Sequence, residues 1–188
     1  MIRVALWVMV IIFPISEVAL AFVKRSGGRG AQSEDRGSLR LVWLSIALGV
    51  GLAIAAQWIP SARLSGSLRV IRFLALGLLL GGLALRWAAI LTLGRLFTVD
   101  VAIHSDHVVV QTGVYRLIRH PSYSGLLLAF LGLGLFFANW LSIVGLLVPI
   151  TLGVFNRVVK EEQALLGSLG PEYAAYCART KRFIPGLL

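Results

Sequence analysis

The stretch Gly113-Val114-Tyr115-Arg116-Leu117-Ile118-Arg119-His120-Pro121-Ser122-Tyr123-Ser124-Gly125 stands at the beginning of an apolar run. Within thirteen residues it contains two tyrosines, two arginines and a histidine. A second polar cluster, at 157–162, follows the next apolar run. If the two apolar runs form a helical hairpin, both clusters return to the same membrane surface. We therefore expect the functional site where these two clusters meet.

The composition is that of a membrane protein. Of the 188 residues, 58% are hydrophobic and 14% are charged, and the mean hydropathy is +0.87. Soluble domains are typically about 45–50% apolar and about 25% charged. The formal net charge of +10 does not indicate a nucleic-acid partner, because no basic run is interleaved with stacking aromatic residues. The single cysteine, Cys177, excludes an intramolecular disulfide and a cysteine-cluster metal site.

The apolar runs predict an all-α membrane protein with about five transmembrane helices, since roughly 20 apolar residues cross a bilayer. The expected spans are 4–23, 41–59, 70–93, 122–138 and 140–155. The first is longer than the apolar part of a secretory signal, so we expect it to be a retained anchor. Glu17 lies within it, and a position near the interface is favoured over a buried partner. Asn139 is the expected turn between the last two spans.

The remaining segments are polar. Residues 24–40 form a glycine-rich loop that we expect to be flexible. Residues 98–110 alternate valine with other residues and predict a small hairpin over the membrane face, turning at 104–107. His104, Asp106 and His107 in that turn are more typical of a solvated turn than of a metal site, because no further ligand is evident. No metal is expected.

We expect one structural domain, with transmembrane helices over 1–92 and a motif-bearing catalytic region over 93–188. After Arg157 the helical pattern continues until Gly170-Pro171, where one helix ends and another begins. Tyr173 and Tyr176 fall on one side of that last helix. The distribution of cations predicts that the motif and the C-terminal segment are cytoplasmic and that the N-terminus is outside. The cations on the expected cytoplasmic side are Lys24, Arg25, Arg29, Arg36, Arg40, Arg95, Arg116, Arg119, Arg157, Lys160, Arg179, Lys181 and Arg182, against Arg3, Arg63 and Arg69 on the other.

The two clusters together suit a particular kind of ligand. Tyr115 and Tyr123 offer flat faces, and the helix beginning near Pro121 presents free N–H groups to a carboxylate. Glu161 and Glu162 can accept hydrogen bonds from an amine or from ribose hydroxyls. This set suits a zwitterionic, aromatic cofactor such as S-adenosylmethionine, although the residues alone do not single that molecule out. Individually, the arginines could equally be topology determinants or partners in surface ion pairs.

The motifs resemble those of a known family. The pattern Gly113-Val114-Tyr115-Arg116-x-x-Arg119-His120-Pro121-x-Tyr123-x-Gly125, then Asn139, Arg157-x-x-Lys160-Glu161-Glu162, Tyr173-x-x-Tyr176 and Arg182-Phe183-x-Pro185 closely resembles the isoprenylcysteine carboxyl methyltransferase family. The resemblance covers about half of the chain. It implies an integral membrane enzyme that holds S-adenosylmethionine under a cytoplasmic cap. A lipophilic or prenylated substrate would enter from the bilayer, with membrane lipids as the surroundings.

The resemblance also implies roles for single residues. The implied cofactor contacts are Tyr115, His120, Pro121, Tyr123, Gly125 and Glu162. The implied acceptor-binding and catalytic residues are Arg119, Arg157 and Glu161. Methyl transfer would be a direct displacement, and a carboxylate acceptor would need no general base because it is already ionised at neutral pH.

Other functions stay open at this level. The same cofactor could serve a phospholipid amine or a small lipophilic thiol, since phospholipid N-methyltransferases carry a similar pattern. A sterol-reductase-like enzyme that binds NADPH shares an Arg-His-Pro motif but belongs to longer chains. A scaffold or small transporter is less consistent, because the charged residues gather at one surface rather than within the spans.

Overall fold

A computed structural model of the chain describes residues 2–23, 32–97, 101–103 and 108–186. Within these ranges the fold is helical, as predicted, and the helical hairpin is confirmed. The α-helices of the described part are α1 (Ile2–Val23), α2 (Arg36–Ala55), α3 (Leu68–Leu93), α4 (Pro121–Phe136) and α5 (Trp140–Arg179).

Three helical segments of the described chain are long and apolar enough to cross a membrane: Gly37–Trp58, Leu68–Leu96 and Trp140–Arg179. α4 is apolar but has 16 residues, so at 1.5 Å per residue it is only about 24 Å long. That length is shorter than the roughly 30 Å of a bilayer's hydrocarbon core. The sequence-based span over α1, a helix of 22 residues, stays a prediction.

The helices pack in two antiparallel pairs, α3 with α4 and α2 with α5, through glycines at the contact. A Cβ atom on Gly125 would lie 2.5 Å from the carbonyl oxygen of Gly82 and 2.6 Å from the backbone nitrogen of Arg86. A Cβ atom on Gly153 would lie 2.6 Å from Ser45 Oγ. Small residues at these crossings let the backbones approach closely, which is how helices associate in membranes.

Asn139 forms the turn between α4 and α5. Its side-chain oxygen accepts hydrogen bonds from the backbone N–H groups of Leu141 and Ser142, and its amide donates to the carbonyl of Ala56. The preceding Ala138 has a positive φ of 50°. This cap reverses the chain, so the beginning of α4 and the second half of α5 lie at the same end of the bundle.

α5 is far longer than a membrane span. Its 40 residues correspond to about 60 Å of helix, about twice the hydrocarbon thickness. The apolar part, 140–155, can span the bilayer, and the polar part from Arg157 extends beyond it. Gly170 has a φ of 54° and interrupts the helix, as the Gly170-Pro171 pair predicts.

A short two-stranded sheet lies outside the helical bundle, and it corrects two expectations. β1 (Gln32–Asp35) pairs antiparallel with β2 (Val101–Ile103). The predicted hairpin within 98–110 is therefore wrong about the partner of this strand, because Val108–Val110 are not in a strand. The expectation of a flexible loop up to residue 40 is also wrong, since α2 begins at Arg36. Residues 24–31 and the turn at 104–107, with His104, Asp106 and His107, lie outside the described residues.

Helix packing through Gly125 can be tested by substitution. Gly125→Ala places a methyl group against backbone atoms that cannot move aside, so we expect a loss of roughly 1–3 kcal/mol of stability. The measurement is the thermal unfolding midpoint in detergent. The matched control is Gly81→Ala, because a Cβ atom there meets nothing within 4 Å. An equal midpoint for the two variants would contradict this account of the α3–α4 crossing.

Candidate active site

A cavity lies at the end of the bundle where α4 begins and where the polar half of α5 starts. Its volume is about 150 Å³, whereas a single water molecule needs only about 10–15 Å³. The space therefore suits an organic ligand. Apolar walls come from α2 through Val42, Trp43 and Ile46, and aromatic walls include Tyr115 and Tyr173. The charged, imidazole and hydroxyl side chains of the lining include Glu17, Arg86, Arg119, His120, Ser122, Tyr123, Arg157 and Glu161.

The C-terminal segment holds the motif in place through the backbone. The backbone N–H groups of Arg119 and His120 donate to the carbonyls of Lys181 and Arg182, at 2.8 and 2.9 Å. Ser124 Oγ adds a hydrogen bond to a further carbonyl of that segment at 2.8 Å. The residues that follow α5 therefore support the conformation of the motif.

Tyr115 is fixed by the last part of α5. It lies in a 3₁₀ turn over Gly113–Arg116, where Gly113 has a positive φ of 56° that favours glycine. The carbonyl of Tyr115 accepts a 2.7 Å hydrogen bond from the hydroxyl of Tyr176. Burial raises the pKa of the Tyr115 hydroxyl well above its ordinary value, with the Glu161 carboxylate as a second cause. Tyr115 is therefore a neutral aromatic wall at any physiological pH.

Glu162 is shared by three basic side chains. Its Oε1 accepts from Arg119 Nε at 2.9 Å and lies 3.1 Å from His120 Nε2. Its Oε2 accepts from Arg182 Nη2 at 2.7 Å. Burial alone would raise the pKa of this carboxyl, but the hydrogen bonds from His120, Arg182 and Arg119 outweigh it and hold the pKa well below the ordinary range. Glu162 is therefore ionised and fixes the imidazole of His120.

A second network joins the two clusters across the cavity. The hydroxyl of Tyr123 donates to Glu161 Oε2 at 3.0 Å and accepts from Arg157 Nε at 2.8 Å. Arg157 Nη1 also donates to Ser38 Oγ on α2 at 3.0 Å. The convergence of the His-Pro stretch with the 157–162 cluster, expected from the helical hairpin, is thus present in the structure.

The structure separates the predicted site residues into two groups. Those that line the cavity are Tyr115, Arg119, His120, Tyr123, Arg157 and Glu161. Pro121, Gly125 and Glu162 do not line it. Pro121 is buried at the first position of α4, Gly125 packs against α3, and Glu162 lies behind His120. Their placement favours support of the cavity wall, and direct cofactor contact by these three stays a prediction.

Sequence reasoning missed Arg86 and its pairing with Glu17. Arg86 Nε and Nη2 donate to the two carboxylate oxygens of Glu17, each at 2.5 Å. Arg86 Nη1 donates to Ser122 Oγ at 2.9 Å. Glu17 therefore has a buried partner, which the sequence analysis did not favour. The signal was available, because Arg86 is a charge of opposite sign inside another apolar run, and intramembrane charges usually pair.

Comparison with known proteins identifies the relatives of this chain. The family model described as the isoprenylcysteine carboxyl methyltransferase (ICMT) family matches residues 75–167. A probable protein-S-isoprenylcysteine O-methyltransferase of Oryza sativa subsp. indica is 32% identical over 117 residues, which cover 61% of this chain and 61% of that protein. The protein-S-isoprenylcysteine O-methyltransferase of Schizosaccharomyces pombe is 30% identical over 158 residues, covering 76% of this chain and 66% of that protein.

A solved structure agrees with these matches. The structure of the eukaryotic intramembrane Ras methyltransferase ICMT superimposes with a TM-score of 0.62 at 27% identity, covering 81% of this chain and 54% of that one. The chain thus spans 61% of the length of the rice relative and about half of the solved chain.

The shared carboxylate predicts a pH-dependent stability. Glu162→Gln removes the counter-charge of Arg119 and Arg182, and we expect it to cost roughly 2–4 kcal/mol near neutral pH. Because the folded pKa of Glu162 is depressed, its contribution is present above the unfolded value of about 4.3 and is lost as the pH falls below it. The difference in thermal midpoint between wild type and Glu162→Gln should therefore shrink in acid.

The control is Glu172→Gln, which removes an exposed carboxylate from the same helix and should change the midpoint little at either pH. A constant difference between wild type and Glu162→Gln across this pH range would contradict the stabilising role given to the ionised carboxylate.

Proposed function

We propose that this chain, which belongs to the isoprenylcysteine carboxyl methyltransferase family, transfers a methyl group from S-adenosylmethionine to the carboxylate of a lipophilic, prenylcysteine-like acceptor. The observation that carries the proposal is one cavity with two kinds of wall. Arg119, His120, Tyr123, Arg157 and Glu161 make it polar on one side. Apolar residues of α2, at the depth of a membrane-crossing helix, make it suitable for a lipid chain on the other.

The polar side fits the proposed cofactor. Tyr115, Tyr123 and Tyr173 line the cavity with aromatic rings against which a flat base can pack. The Glu161 carboxylate can accept hydrogen bonds from ribose hydroxyls or from an amine. α4 begins at Pro121 beside the cavity, and a helix N-terminus favours a carboxylate. When bound, S-adenosylmethionine supplies an electrophilic methyl group on a sulfonium centre.

The apolar side fits a prenyl chain that comes from the bilayer. Val42 is buried within the wall, whereas Trp43 is 37% exposed on the outer surface of α2 and also lines the cavity. The wall is thus continuous with the surface that faces lipid. Burying an isoprenoid chain here gains about 25 cal/mol for each Å² removed from water, so binding can draw on the acceptor's apolar tail rather than on its reacting group.

The reaction requires the protein to align the two reactants, and it does not require a general base. An acceptor carboxylate with a pKa of about 3.5 is ionised at neutral pH, so no proton has to be removed. Holding the two reactants in line can supply on the order of 7–11 kcal/mol. Tyr123 and Arg157 are fixed to each other and, through Ser38, to α2, which makes that part of the wall rigid. Arg119 is held by Glu162 and by the carbonyls of Cys177 and Thr180, so we assign it to shaping the site.

The same proposal gives an orientation in the membrane. Arg116, Lys160 and Arg179 lie at the site's end of the bundle, in segments outside the apolar runs. The opposite end carries the turn at Asn139 and the bridge from it to Arg63. Cytoplasmic loops are enriched in lysine and arginine, so we place the site on the cytoplasmic face and the N-terminus outside.

The proposed activity can be measured directly. The purified chain in detergent should transfer labelled methyl from S-adenosylmethionine to N-acetyl-S-farnesylcysteine and give an alkali-labile ester. The matched control acceptor is the carboxamide of the same compound, which keeps the prenyl chain and lacks the carboxylate. Methylation of neither compound by a protein that binds S-adenosylhomocysteine would contradict the acceptor class.

Two substitutions should separate cofactor binding from turnover. His120→Ala removes a cavity-lining ring that Glu162 orients, and we expect S-adenosylhomocysteine to bind about tenfold or more weakly, a change of about 1.4 kcal/mol. Arg157→Ala should leave that affinity within about threefold and lower kcat by about a hundredfold, since a misplaced wall costs alignment. Titration calorimetry and initial rates measure the two effects, with Glu172→Gln as the control. Unchanged affinity in His120→Ala would refute the assignment of this wall to the cofactor.

A further inference from the structure

The Glu17–Arg86 pair lies in the cavity wall, and neither the reaction nor the fold explains why it faces the cavity. Both side chains line the cavity, and they are 13% and 9% accessible. The two carboxylate oxygens of Glu17 accept hydrogen bonds from Arg86 Nε and Nη2. The third nitrogen of the guanidinium, Nη1, donates to Ser122 Oγ at 2.9 Å. Ser122 lies between His120 and Tyr123, so this guanidinium is attached directly to the proposed cofactor motif.

The geometry is that of a carboxylate-binding site with a carboxylate already in it. A guanidinium binds a carboxylate through two parallel N–H donors, which is one of the strongest polar contacts in proteins. Because an unpaired charge at this depth is costly, Arg86 needs an anion whether or not a ligand is present. In the structure that anion is Glu17. The acceptor of the proposed reaction carries the same functional group.

α1 is built so that Glu17 can leave. Pro14 lies inside the helix one turn before Glu17, and proline removes a helical hydrogen bond and permits a bend. Phe13, on the other side of Pro14, is 2% exposed and packs edge-on against Phe130 at 5.0 Å, which anchors α1 at that residue. Beyond Pro14, Leu20 is 6% exposed and lines the cavity beside Glu17. Only about 9 Å of helix separates Glu17 from the end of α1 at Val23. A displaced carboxylate can therefore reach water.

We propose that Glu17 is an internal substitute for the acceptor carboxylate. Its own carboxylate pairs with Arg86 until the acceptor binds. This inference rests on the function proposed above. When the acceptor arrives, its carboxylate takes over Nε and Nη2 of Arg86, and the segment of α1 beyond Pro14 moves Glu17 towards water. The buried guanidinium of Arg86 is therefore paired with one carboxylate both before and after the exchange.

The exchange gives the site a means of releasing its product. Methyl transfer forms an O–CH₃ bond on the acceptor and breaks the S–CH₃ bond of the donor, so an anionic carboxylate becomes a neutral ester. An ester is a much weaker partner for a guanidinium than a carboxylate is. Glu17 then returns to Arg86, so the ester lacks the ion pair that held the acid and is bound only through its remaining contacts. The device thus discriminates against the product and against acceptors that lack a carboxylate.

The test compares the wild type with Glu17→Gln, which keeps the size of the side chain and removes its charge. N-acetyl-S-farnesylcysteine and its methyl ester are titrated calorimetrically into each protein, saturated with S-adenosylhomocysteine. Glu17→Gln should bind the free acid about tenfold more tightly than wild type does, because the internal competitor is gone. The methyl ester should bind the two proteins within about threefold of each other.

Two further variants keep the test decisive if Glu17→Gln folds poorly. Glu17→Asp keeps the charge but is one methylene shorter, so it competes less well, and the free acid should bind more tightly than to wild type. The double variant Glu17→Gln/Arg86→Gln carries no buried charge at this site, and it should bind acid and ester about equally.

Equal or weaker binding of the free acid by Glu17→Gln and Glu17→Asp, relative to wild type, would overturn the inference and leave the proposed function standing. Failure of the acid to bind any of the proteins, while S-adenosylhomocysteine binds them all, would overturn the acceptor class and this inference together.

Discussion

The carboxylate of Glu162 is the interaction on which the site depends. It forms hydrogen bonds with Arg119 and His120 from the segment before α4 and with Arg182 from the segment after α5. The segments on either side of the α4–α5 hairpin are thereby tied to the two oxygens of one carboxylate, and Glu162 is only 6% exposed. A buried carboxylate is stable only when its hydrogen bonds and charges are satisfied. The position of His120 in the cavity wall is consequently a result of this pairing.

The same requirement accounts for how charge is distributed in so apolar a chain. The buried or half-buried charged groups near the cavity do not stand alone: Arg86 has Glu17, Glu162 has its basic partners, and Arg157 is joined through Tyr123 to Glu161. Each of these groups also touches or supports the cavity. Charge is expensive wherever it is buried, so these charged groups are found where partners are supplied.

Much of this could be predicted from the sequence, because the signals are local. Asn139 between two apolar runs specifies a helical hairpin, Gly170-Pro171 specifies a break, and the hairpin forces the two polar clusters to one end. Pairings between distant segments are marked less clearly: the opposite charges of Glu17 and Arg86 inside two apolar runs are a signal, whereas the pairing of the two strands has none. Arg86 and Glu17 are 69 positions apart, and the strand over Val101–Ile103 takes its partner from Gln32–Asp35. Neither strand carries a feature that selects the other.

Gly125 shows a different limit. A glycine in a ligand-binding motif and a glycine in a helix crossing are required for the same reason, which is close approach of another group to the backbone. The sequence shows that something approaches Gly125 but does not show what. In the structure the neighbour is the backbone of α3, and this contact places Arg86, one turn beyond Gly82, beside Ser122.

The counter-charges of the site come partly from outside the region that the family model matches. The family model matches residues 75–167, a range that holds Arg86, Arg119, His120 and Glu162. Their partners Glu17 and Arg182 lie outside it, one in α1 and one after α5. Within the matched range, Arg86 would be a buried cation without its carboxylate, and Glu162 would lose the cation that occupies Oε2. The segments on either side of the matched region are therefore parts of the site's electrostatics, and variation in them can tune the site without changing any motif residue.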